Sequence, residues 1–198
     1  MEAPTTEHWS AVKHLLRYIA GSRSHGCVYR RGEGALELIG YSDADLAGDC
    51  DDRKSTSGAL FFLGQSPVSW QSQKQRVVVL SSCEAEYIAG ATAACQGVWL
   101  SRLLTDLVNV KVVVPLLYID NKSALALAKN PVLHERSKHI DVRFHFIRDC
   151  INNGTLETDY VRTGDQLADL LTKPLPRERL QELRIQSSII NIGATQHV

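Results

Sequence analysis

Four acidic residues, each in a short phrase of its own, carry the chemistry that this sequence could perform. Two follow predicted strands and two lie near the starts of predicted helices: Asp43, Glu86, Asp120 and Asp169. Carboxylate oxygens are hard ligands that suit Mg²⁺, and two such ions about 4 Å apart can bind the attacking and leaving oxygens of a phosphodiester. The pattern therefore predicts a metal-dependent nuclease site with two Mg²⁺ ions, which Mn²⁺ can replace.

The phrase around Glu86 contains a second acid, and helix geometry separates the two. Ser81 and Glu84 stand in the S-x-x-E pattern of a capping box, in which the glutamate folds back onto the first turn. Residues two apart on a helix differ by about 200° of rotation, so Glu84 and Glu86 cannot point at one site. Because Glu84 has a capping role available, we assign Glu86 to the site beside Asp43.

A capping argument also distinguishes two acids near the C-terminal end. Thr163 and Gln166 fit a second capping box, and Asp165 is well placed at the positive end of a helix. Asp169 lies about one turn further in, where no capping role is available. We therefore assign Asp169, rather than Asp165, to the site.

Asp43 and Asp120 each have a structural alternative. Asp43 could simply end a strand, with Asp45 on the same strand face, and Asp120 could be the N-cap of the helix that follows. If their two strands are neighbours, the strand ends meet where the winding of the sheet reverses, which is the usual position of a site in open α/β sheets. Asp43, on the central strand, would then bridge both metal ions.

The elements that must position these acids follow from the hydrophobic pattern. Alternating or continuous apolar runs predict strands, and apolar residues three and four apart predict helices. The strands are predicted at residues 27–29, 35–44, 57–63, 68–73, 112–119 and 155–161, and the helices at 5–20, 82–107, 121–129, 140–152 and 165–172. An antiparallel meander followed by crossover helices gives an α/β fold with a mixed sheet. Residues 177–184 are expected to form a turn or two, and the remainder a loose tail.

The composition is that of a globular protein without an overall basic field. Of 198 residues, 44% are apolar and 22% charged, and the 22 Lys and Arg balance the 22 Asp and Glu. Nucleic-acid binding would then depend on a local basic patch and on metal, which argues against a non-specific coat protein. The first residues lack a signal pattern and no apolar run approaches about 18 residues, so no membrane partner is expected.

The five cysteines are an odd number and include no C-x-x-C pair. This pattern indicates reduced thiols and an intracellular protein, in the cytoplasm or the nucleus. His139, His145 and Cys150 do not have the spacing of a standard zinc site, so we expect them in core or surface roles.

Seven short sequence motifs, taken together in their order along the chain, form a specific signature between residues 41 and 175. They are Tyr-Ser-Asp-Ala-Asp-Leu-Ala-Gly (41–48), Asp-Arg-Lys-Ser-Thr-Ser-Gly (52–58), Val-Ser-Trp-Gln-Ser-Gln-Lys-Gln (68–75), Leu-Ser-Ser-Cys-Glu-Ala-Glu-Tyr (80–87), Tyr-Ile-Asp-Asn-Lys-Ser-Ala (118–124), Lys-His-Ile-Asp (138–141) and Gln-Leu-Ala-Asp-Leu-Leu-Thr-Lys-Pro-Leu (166–175). Together they resemble the ribonuclease H domain of Ty1/copia-type retrotransposon Pol polyproteins. Residues 9–31 resemble the segment that joins reverse transcriptase to ribonuclease H. The resemblance divides the chain into a connection segment (1–34), a ribonuclease H-like domain (35–175) and a C-terminal tail (176–198).

The resemblance implies a ribonuclease H-like fold, with a mixed five-stranded sheet and flanking helices. It also implies an endonuclease that cuts the RNA strand of an RNA–DNA hybrid during reverse transcription. Asp43, Glu86, Asp120 and Asp169 match the catalytic, metal-binding carboxylates of the family. Metal-activated water would attack the phosphate in line and leave a 5′-phosphate and a 3′-hydroxyl. The implied partners are the hybrid and the reverse transcriptase of the same polyprotein, in a virus-like particle.

Recognition of a hybrid without sequence preference would rest on duplex shape, 2′-hydroxyls and phosphates. Polar residues in or near the strand region could supply these contacts: Arg53, Lys54, Ser55, Gln71, Gln73, Lys74 and Arg76. The alternative is a solvated face, because charged runs usually have no partner.

The sequence departs from cellular ribonucleases H before the final acid. Those enzymes carry a glycine- and histidine-containing loop there, whereas residues 161–166 contain no histidine. No histidine that helps product release is evident, which would lower the rate, although His134 or His139 could substitute. A second hypothesis is a captured copy of the domain that serves as a non-catalytic nucleic-acid- or protein-interaction module.

Overall fold

The computed structural model describes residues 3–29, 36–108, 113–129 and 146–194. Its α-helices are α1 (Thr6–Ser22), α2 (Ser82–Val108), α3 (Lys122–Lys129), α4 (Phe146–Asn152) and α5 (Arg177–Gln186). Its strands are β1 (His25–Cys27), β2 (Leu38–Ala44), β3 (Thr56–Leu63), β4 (Ser66–Lys74), β5 (Leu116–Ile119), β6 (Glu157–Tyr160) and β7 (Ile189–Asn191). Short 3-10 helices span Thr163–Asp165, Leu167–Leu171 and Ile192–Ala194.

Strands β2 to β6 form one mixed sheet in the order β4-β3-β2-β5-β6. β2, β3 and β4 are an antiparallel meander, and the tight β3–β4 turn passes through Gly64 at φ 58°, where glycine has no Cβ to clash. β5 runs parallel to both β2 and β6, which requires crossover connections such as the long helix α2. The predicted mixed five-stranded sheet with flanking helices is confirmed.

Apolar side chains cover both faces of the sheet. Phe61 and Ile119 belong to the core that α2 covers. Because a Cβ at Gly90 of α2 would lie 3.2 Å from Ile119 Cδ1, glycine at this position lets the helix approach closely. On the other face, Leu60 shares a cluster with Leu183 of α5. β3 therefore contributes alternate side chains to two cores, which explains its nearly continuous burial.

Most predicted elements are present with shifted ends. β1 lies at residues 25–27 rather than 27–29, and β2 begins at Leu38 rather than at 35. β5 begins at Leu116, directly after Pro115, which has no amide proton to donate to a neighbouring strand. The helix predicted at 140–152 is described only from Phe146 onward, because residues 130–145 lie outside the described part.

The prediction of one regular helix at residues 165–172 is wrong. The chain forms two short 3-10 helices instead, and Gln166 between them is extended (φ −75°, ψ 104°). Its side chain donates from Nε2 to the Ser42 carbonyl at 2.9 Å and accepts at Oε1 from Ala168 N at 3.2 Å. The capping box predicted for Thr163 and Gln166 is therefore also wrong. Gln166 caps the second 3-10 helix and ties it to β2.

The C-terminal residues that the structure describes are not the loose tail expected from the sequence. After α5, β7 pairs antiparallel with β1, with Cys27 opposite Ile189. Ser188, at φ 57°, reverses the chain between α5 and β7, and its Oγ donates to the Gln65 carbonyl at 2.8 Å. The predicted connection segment and tail thus share a two-stranded sheet, while the boundaries proposed at residues 34 and 175 stay predictions.

All five cysteines are free thiols. Cys150 is buried on α4, whereas His139 and His145 lie outside the described residues, so the zinc alternative is not part of the described geometry. Among the residues that the structure describes, no helix has both the length and the apolar character needed to cross a membrane.

Candidate active site

The carboxylate of Asp43 lies at the centre of the site. Asp43 is the penultimate residue of β2 and is only 1% exposed. Thr172 Oγ1 donates a short hydrogen bond to Asp43 Oδ2, and Lys173 Nζ lies 3.4 Å from Asp43 Oδ1. Both donors follow the second 3-10 helix directly, so this C-terminal segment sets the orientation of the carboxylate.

Gly58 of β3 lets that segment lie directly on the sheet. It is the pairing partner of Asp43 across β2 and β3. A Cβ at Gly58 would lie 2.7 Å from Thr172 Cγ2 and 3.0 Å from Leu171 Cβ, which is too close without a shift. Glycine in a strand often marks such a close approach, and here it permits the contact between Thr172 and Asp43.

Asp120 is brought beside Asp43 by the pairing of their strands. β2 and β5 are parallel neighbours, and Ser42 pairs with Ile119, so the residues that follow both lie at the same edge of the sheet. The N-cap alternative for Asp120 is wrong. Asn121 Oδ1 accepts from Ser123 N and Ala124 N, both at 3.0 Å, and so caps α3 in its place.

Glu86 reaches the same edge from the first turns of α2. Ser81 Oγ accepts from Glu84 N at 3.2 Å, and Glu84 Oε2 accepts from Leu80 N at 2.8 Å. Glu84 therefore supports the start of the helix, as the sequence predicts, although it bonds to Leu80 N rather than to the N-cap amide. Glu86, on the opposite side of the helix, is 5% exposed and faces the sheet edge.

Three of the four predicted acids converge. Ligand oxygens of Asp43, Glu86 and Asp120 all lie within 4.8 Å of one another. We call these three residues the acidic trio. They come from two strand ends and one helix start, so only the folded chain assembles them.

Asp169 is not a member of the trio, but one side chain links it to Asp43. Lys173 Nζ lies 2.7 Å from Asp169 Oδ1 and 3.4 Å from both Asp43 oxygens. Arg179 of α5 lies 4.0 Å from the other oxygen of Asp169. Asp169 is 5% exposed and therefore shares a buried environment with Asp43, with an ammonium group between them.

Burial and the repulsion between neighbouring carboxylates raise the pKa of two members of the trio, Asp43 and Glu86. Burial raises the pKa of Asp43, although the Thr172 hydrogen bond and the Lys173 ammonium oppose this shift. Burial, followed by the charges of Asp43 and Asp120, raises the pKa of Glu86 to about 9. Glu86 Oε2 is buried and has no hydrogen-bond partner among the described residues. Because a buried oxygen without a partner is costly and a cation favours the charged form of a carboxylate, this donor set fits a divalent ion such as Mg²⁺.

Sequence reasoning missed Thr172 and Lys173. Both stand in the phrase at 166–175, but attention to acids alone leaves them out. Burial by itself would lower the pKa of Lys173, whereas its contacts with Asp169 and Asp43 raise it, so the side chain remains an ammonium. The four-residue spacing of Asp169 and Lys173 could have revealed their contact, because a lysine four residues after an acid is a frequent ion-pair pattern in helical turns.

Asp45 does not join the site. Its Oδ1 accepts a short hydrogen bond from Thr56 N, which turns it toward the start of β3. It begins a segment that we call the acidic loop, residues 45–52, which contains three further aspartates. Asp49 Oδ1 accepts from the amides of Asp51 and Asp52 at 2.9 and 3.0 Å. These acids organise their own loop.

Both lysines predicted to contact nucleic acid, Lys54 and Lys74, are paired with the acidic loop. Lys74 Nζ lies 2.6 Å from Asp49 and 3.0 Å from Asp52, and Lys54 Nζ lies 3.2 Å from Asp52. The hydrogen bond from Lys74 and those from the backbone hold the pKa of Asp49 well below its usual range. Nearby aspartates thus offset these two positive charges.

The other predicted contact residues differ in their environment. Arg53 and Arg76 are exposed. Gln71 Nε2 donates to Gln73 Oε1 at 2.8 Å on the edge strand β4. Ser55 is fully buried, and its Oγ accepts from the backbone amide at position 47 at 3.0 Å. The seven residues therefore do not form one uniform surface, and their role in binding stays a prediction. His134 and His139 lie outside the described residues.

Known proteins similar to this chain include two transposon polyproteins. The chain is 45% identical over 192 residues to the retrovirus-related Pol polyprotein from transposon RE2 of Arabidopsis thaliana, covering 97% of this chain. It is 43% identical over 182 residues to the retrovirus-related Pol polyprotein from transposon TNT 1-94 of Nicotiana tabacum, covering 91%. The chain spans 13% of the length of each polyprotein. A third relative, secreted RxLR effector protein 161 of Plasmopara viticola, is 49% identical over 98 residues, which are 50% of this chain and 68% of the effector.

Solved structures similar to this chain include ribonucleases H. A ribonuclease H1 isolated from compost aligns over 75% of this chain and 98% of its own, with 16% identity and a TM-score of 0.49. The N-terminal ribonuclease H domain of Rv2228c from Mycobacterium tuberculosis aligns over 77% of this chain and 99% of its own, with 12% identity and a TM-score of 0.48. No family model matches the chain. Because the polyprotein relatives match nearly its whole length, the chain belongs to the family of copia-type retrotransposon Pol polyproteins.

Proposed function

We propose that this chain is a divalent-metal-dependent endonuclease that cleaves the RNA strand of RNA–DNA hybrids during retrotransposon reverse transcription. The observation that carries the proposal is the convergence of Asp43, Glu86 and Asp120 within 4.8 Å. Family membership supports the choice of substrate, since the resemblance to ribonuclease H implies a hybrid rather than another phosphodiester. Two Mg²⁺ ions, replaceable by Mn²⁺, are the proposed cofactors.

The chain's own residues define how such a site would operate. The acidic trio would hold the metal, and Asp169 is the fourth ligand that the sequence predicts. A divalent ion bound there supplies a Lewis acid and lowers the pKa of bound water. The hydrogen bond from Thr172 holds the Asp43 carboxylate in one orientation. Lys173 neutralises part of the negative charge that these carboxylates would otherwise place beside a phosphate.

The proposed partners contact different surfaces. For the hybrid, Arg53 and Arg76 are exposed cationic contact residues, whereas the exposed Lys74 is paired with Asp49 and Asp52. For the reverse transcriptase part of the polyprotein, α1 offers apolar side chains that are more than half exposed in the described chain. Trp9, Leu16 and Ile19 of this helix are 62%, 58% and 51% exposed. A helix with such a face usually packs against another element.

Cleavage of an end-labelled RNA–DNA hybrid in Mg²⁺ tests the proposal. We expect cutting by the unaltered chain, with a loss of about 10²-fold or more in the Asp43→Asn variant, because its amide oxygen is a weaker ligand than a carboxylate. Duplex RNA and duplex DNA serve as substrate controls, and Asp45→Asn is the matched variant, two residues away and outside the trio. Equal cutting by the two variants would contradict the assignment of the site.

The second candidate is a non-catalytic interaction module derived from this domain. The observation that favours it is the effector relative, in which the matching segment makes up 68% of the protein. A segment similar to part of this chain thus makes up most of a protein that is named as a secreted effector and not as a polyprotein. Binding of hybrid without cleavage in either Mg²⁺ or Mn²⁺ is the result expected for a module, and cutting that depends on Asp43 excludes it.

A further inference from the structure

An open groove lies on the face of the sheet away from α2. It is bounded by α1, β1, the second 3-10 helix and α5, and its volume is ≈ 810 Å³, within the range of ligand sites. Leu60 and Pro67 from the sheet and Leu171 from the 3-10 helix give it an apolar lining. Trp70 of β4 also lines the groove and is 57% exposed. A large indole surface is therefore open to a ligand.

The groove is positively charged although the chain as a whole is neutral. Arg17 of α1 and Arg177 and Arg184 of α5 line it, and no Asp or Glu does so among the described residues. None of the three guanidinium groups forms an ion pair with another residue in the described ranges. Arg179, on the same helix as two of them, pairs with Glu182 instead. The groove thus concentrates cations that the protein itself does not neutralise.

Two polar atoms at the groove lack partners. Arg184 Nε and His25 Nδ1 are buried and form no hydrogen bond with a described residue. Arg184 as a whole is half-buried and lines the groove, where an anion would accept hydrogen bonds from the terminal nitrogens of its guanidinium group. Tyr18, which is 60% exposed, adds a second aromatic ring to the lining.

We infer that this groove binds single-stranded nucleic acid, with phosphates on the arginines and a base stacked on Trp70. The guanidinium fork matches phosphate oxygens, and every base has a face that stacks on an aromatic ring. A positive groove with exposed aromatic rings is the usual arrangement of single-strand sites without sequence preference. An acidic peptide would engage the arginines but would leave the rings and the apolar lining unused.

The site is distinct from the acidic trio and adjoins it. Leu171 lines the groove, and Thr172, the next residue, holds Asp43. A strand in the groove would thus lie one residue away, along the chain, from the segment that orients the metal-binding carboxylate. The inference depends on the groove residues and not on cleavage.

Fluorescence anisotropy of a labelled oligothymidylate, measured in EDTA, tests the inference. We expect about tenfold weaker binding for Trp70→Ala, because one stacked base is lost. For Arg177→Gln combined with Arg184→Gln, we expect weaker binding and a salt-dependence slope reduced by about 1.4, or about 0.7 for each phosphate contact. The controls are two exposed residues of α2, Trp99→Ala, which is 54% exposed, and Arg102→Gln. Circular dichroism verifies that each variant is folded.

Several outcomes would overturn the inference: no binding by the unaltered chain, unchanged affinity in the groove variants, or an equal loss in the Trp99→Ala control. Displacement by polyglutamate as effective as displacement by unlabelled oligothymidylate would show a general anion site instead. A hybrid-cleavage assay on the same variants separates the two proposals. Binding through the groove without any cleavage removes the proposed function alone, whereas cleavage with unchanged oligonucleotide affinity removes only the groove.

Discussion

The acidic trio and the acidic loop contain similar numbers of carboxylates, and Asp43 lies two residues before the loop begins at Asp45, but the chemistry of the two groups is opposite. In the loop, backbone amides and Lys74 satisfy Asp49 and hold its pKa low. In the trio, Glu86 is buried, has an oxygen without a partner in the described chain, and has a raised pKa. The number of acids alone therefore does not identify a candidate metal site. What identifies it is burial combined with a shortage of donors from the protein.

The largest expected effect is a pH dependence of stability that comes from the trio. The pKa of Glu86 rises from 4.5 to about 9 on folding. Between these values the unfolded chain binds fewer protons than the folded one, so the free energy of unfolding falls as pH rises. The slope is at most about 1.4 kcal/mol per pH unit. Urea unfolding in EDTA between about pH 5 and pH 9 measures it, and Glu86→Gln should flatten the curve.

The acidic loop should show the opposite sign. The pKa of Asp49 is lowered on folding, so its contribution to stability is present above the unfolded pKa and is lost in acid. Asp49→Asn should therefore lower the free energy of unfolding slightly at neutral pH, and the difference from the unaltered chain should disappear in acid. If Glu86→Gln kept the slope of the unaltered chain, the contrast between the two regions would be wrong.

A smaller effect is expected from Gly58→Ala, which tests how the C-terminal segment supports the trio. The new methyl group would collide with Thr172 and Leu171. We expect a loss of about 1–3 kcal/mol in the free energy of unfolding, together with weaker Mn²⁺ binding by calorimetry because Asp43 loses its support. Gly164→Ala is the matched control, since a Cβ there meets nothing within 4 Å. Equal losses in the two variants would show a general effect of replacing glycine.

The next effect concerns the cation between Asp43 and Asp169. Lys173→Met removes an ammonium group that competes with metal, so Mn²⁺ should bind several-fold more tightly in calorimetry. The metal-free protein should lose about 1–2 kcal/mol, because the lysine is one-third exposed while its partners are buried. Lys173→Arg should retain the affinity of the unaltered chain. Weaker Mn²⁺ binding by the methionine variant would mean that Lys173 supports the metal site rather than competes with it.

The smallest effect is expected from Lys74→Ala in the acidic loop. Its partners, Asp49 and Asp52, remain near solvent and keep their backbone hydrogen bonds. Mn²⁺ affinity by calorimetry should therefore match that of the unaltered chain, with only a small change in melting temperature. A clear loss of affinity would show that the loop and the trio are electrostatically coupled.

Local geometry explains which parts of the site the sequence predicts. Glu86 was separated from Glu84 by rotation about a helix, and the structure has the same helix. The proximity of Asp43 and Asp120 followed from placing two strands side by side, and β2 and β5 are neighbours. These acids lie on or directly beside periodic structure, in which the position of one residue determines where the neighbouring side chains point.

Contacts between distant parts of the chain were not predictable in the same way. Asp169 was expected on a regular helix, but Gln166 is drawn to Ser42 on β2 and divides that helix into two 3-10 segments. The pairing of β1 with β7 joins strands of three residues each, too short for an alternating pattern to reveal them. Such features depend on tertiary contacts that override local propensity.

The hydrogen bond between Thr172 and Asp43 has a consequence for biosynthesis, because it joins residues 129 positions apart. During translation β2 leaves the ribosome long before the segment that orients its carboxylate. Closing so long a loop is slow relative to local folding. A nascent chain would therefore carry Asp43 without its hydrogen-bond donor, and the carboxylate would gain its final orientation only after synthesis has passed Lys173.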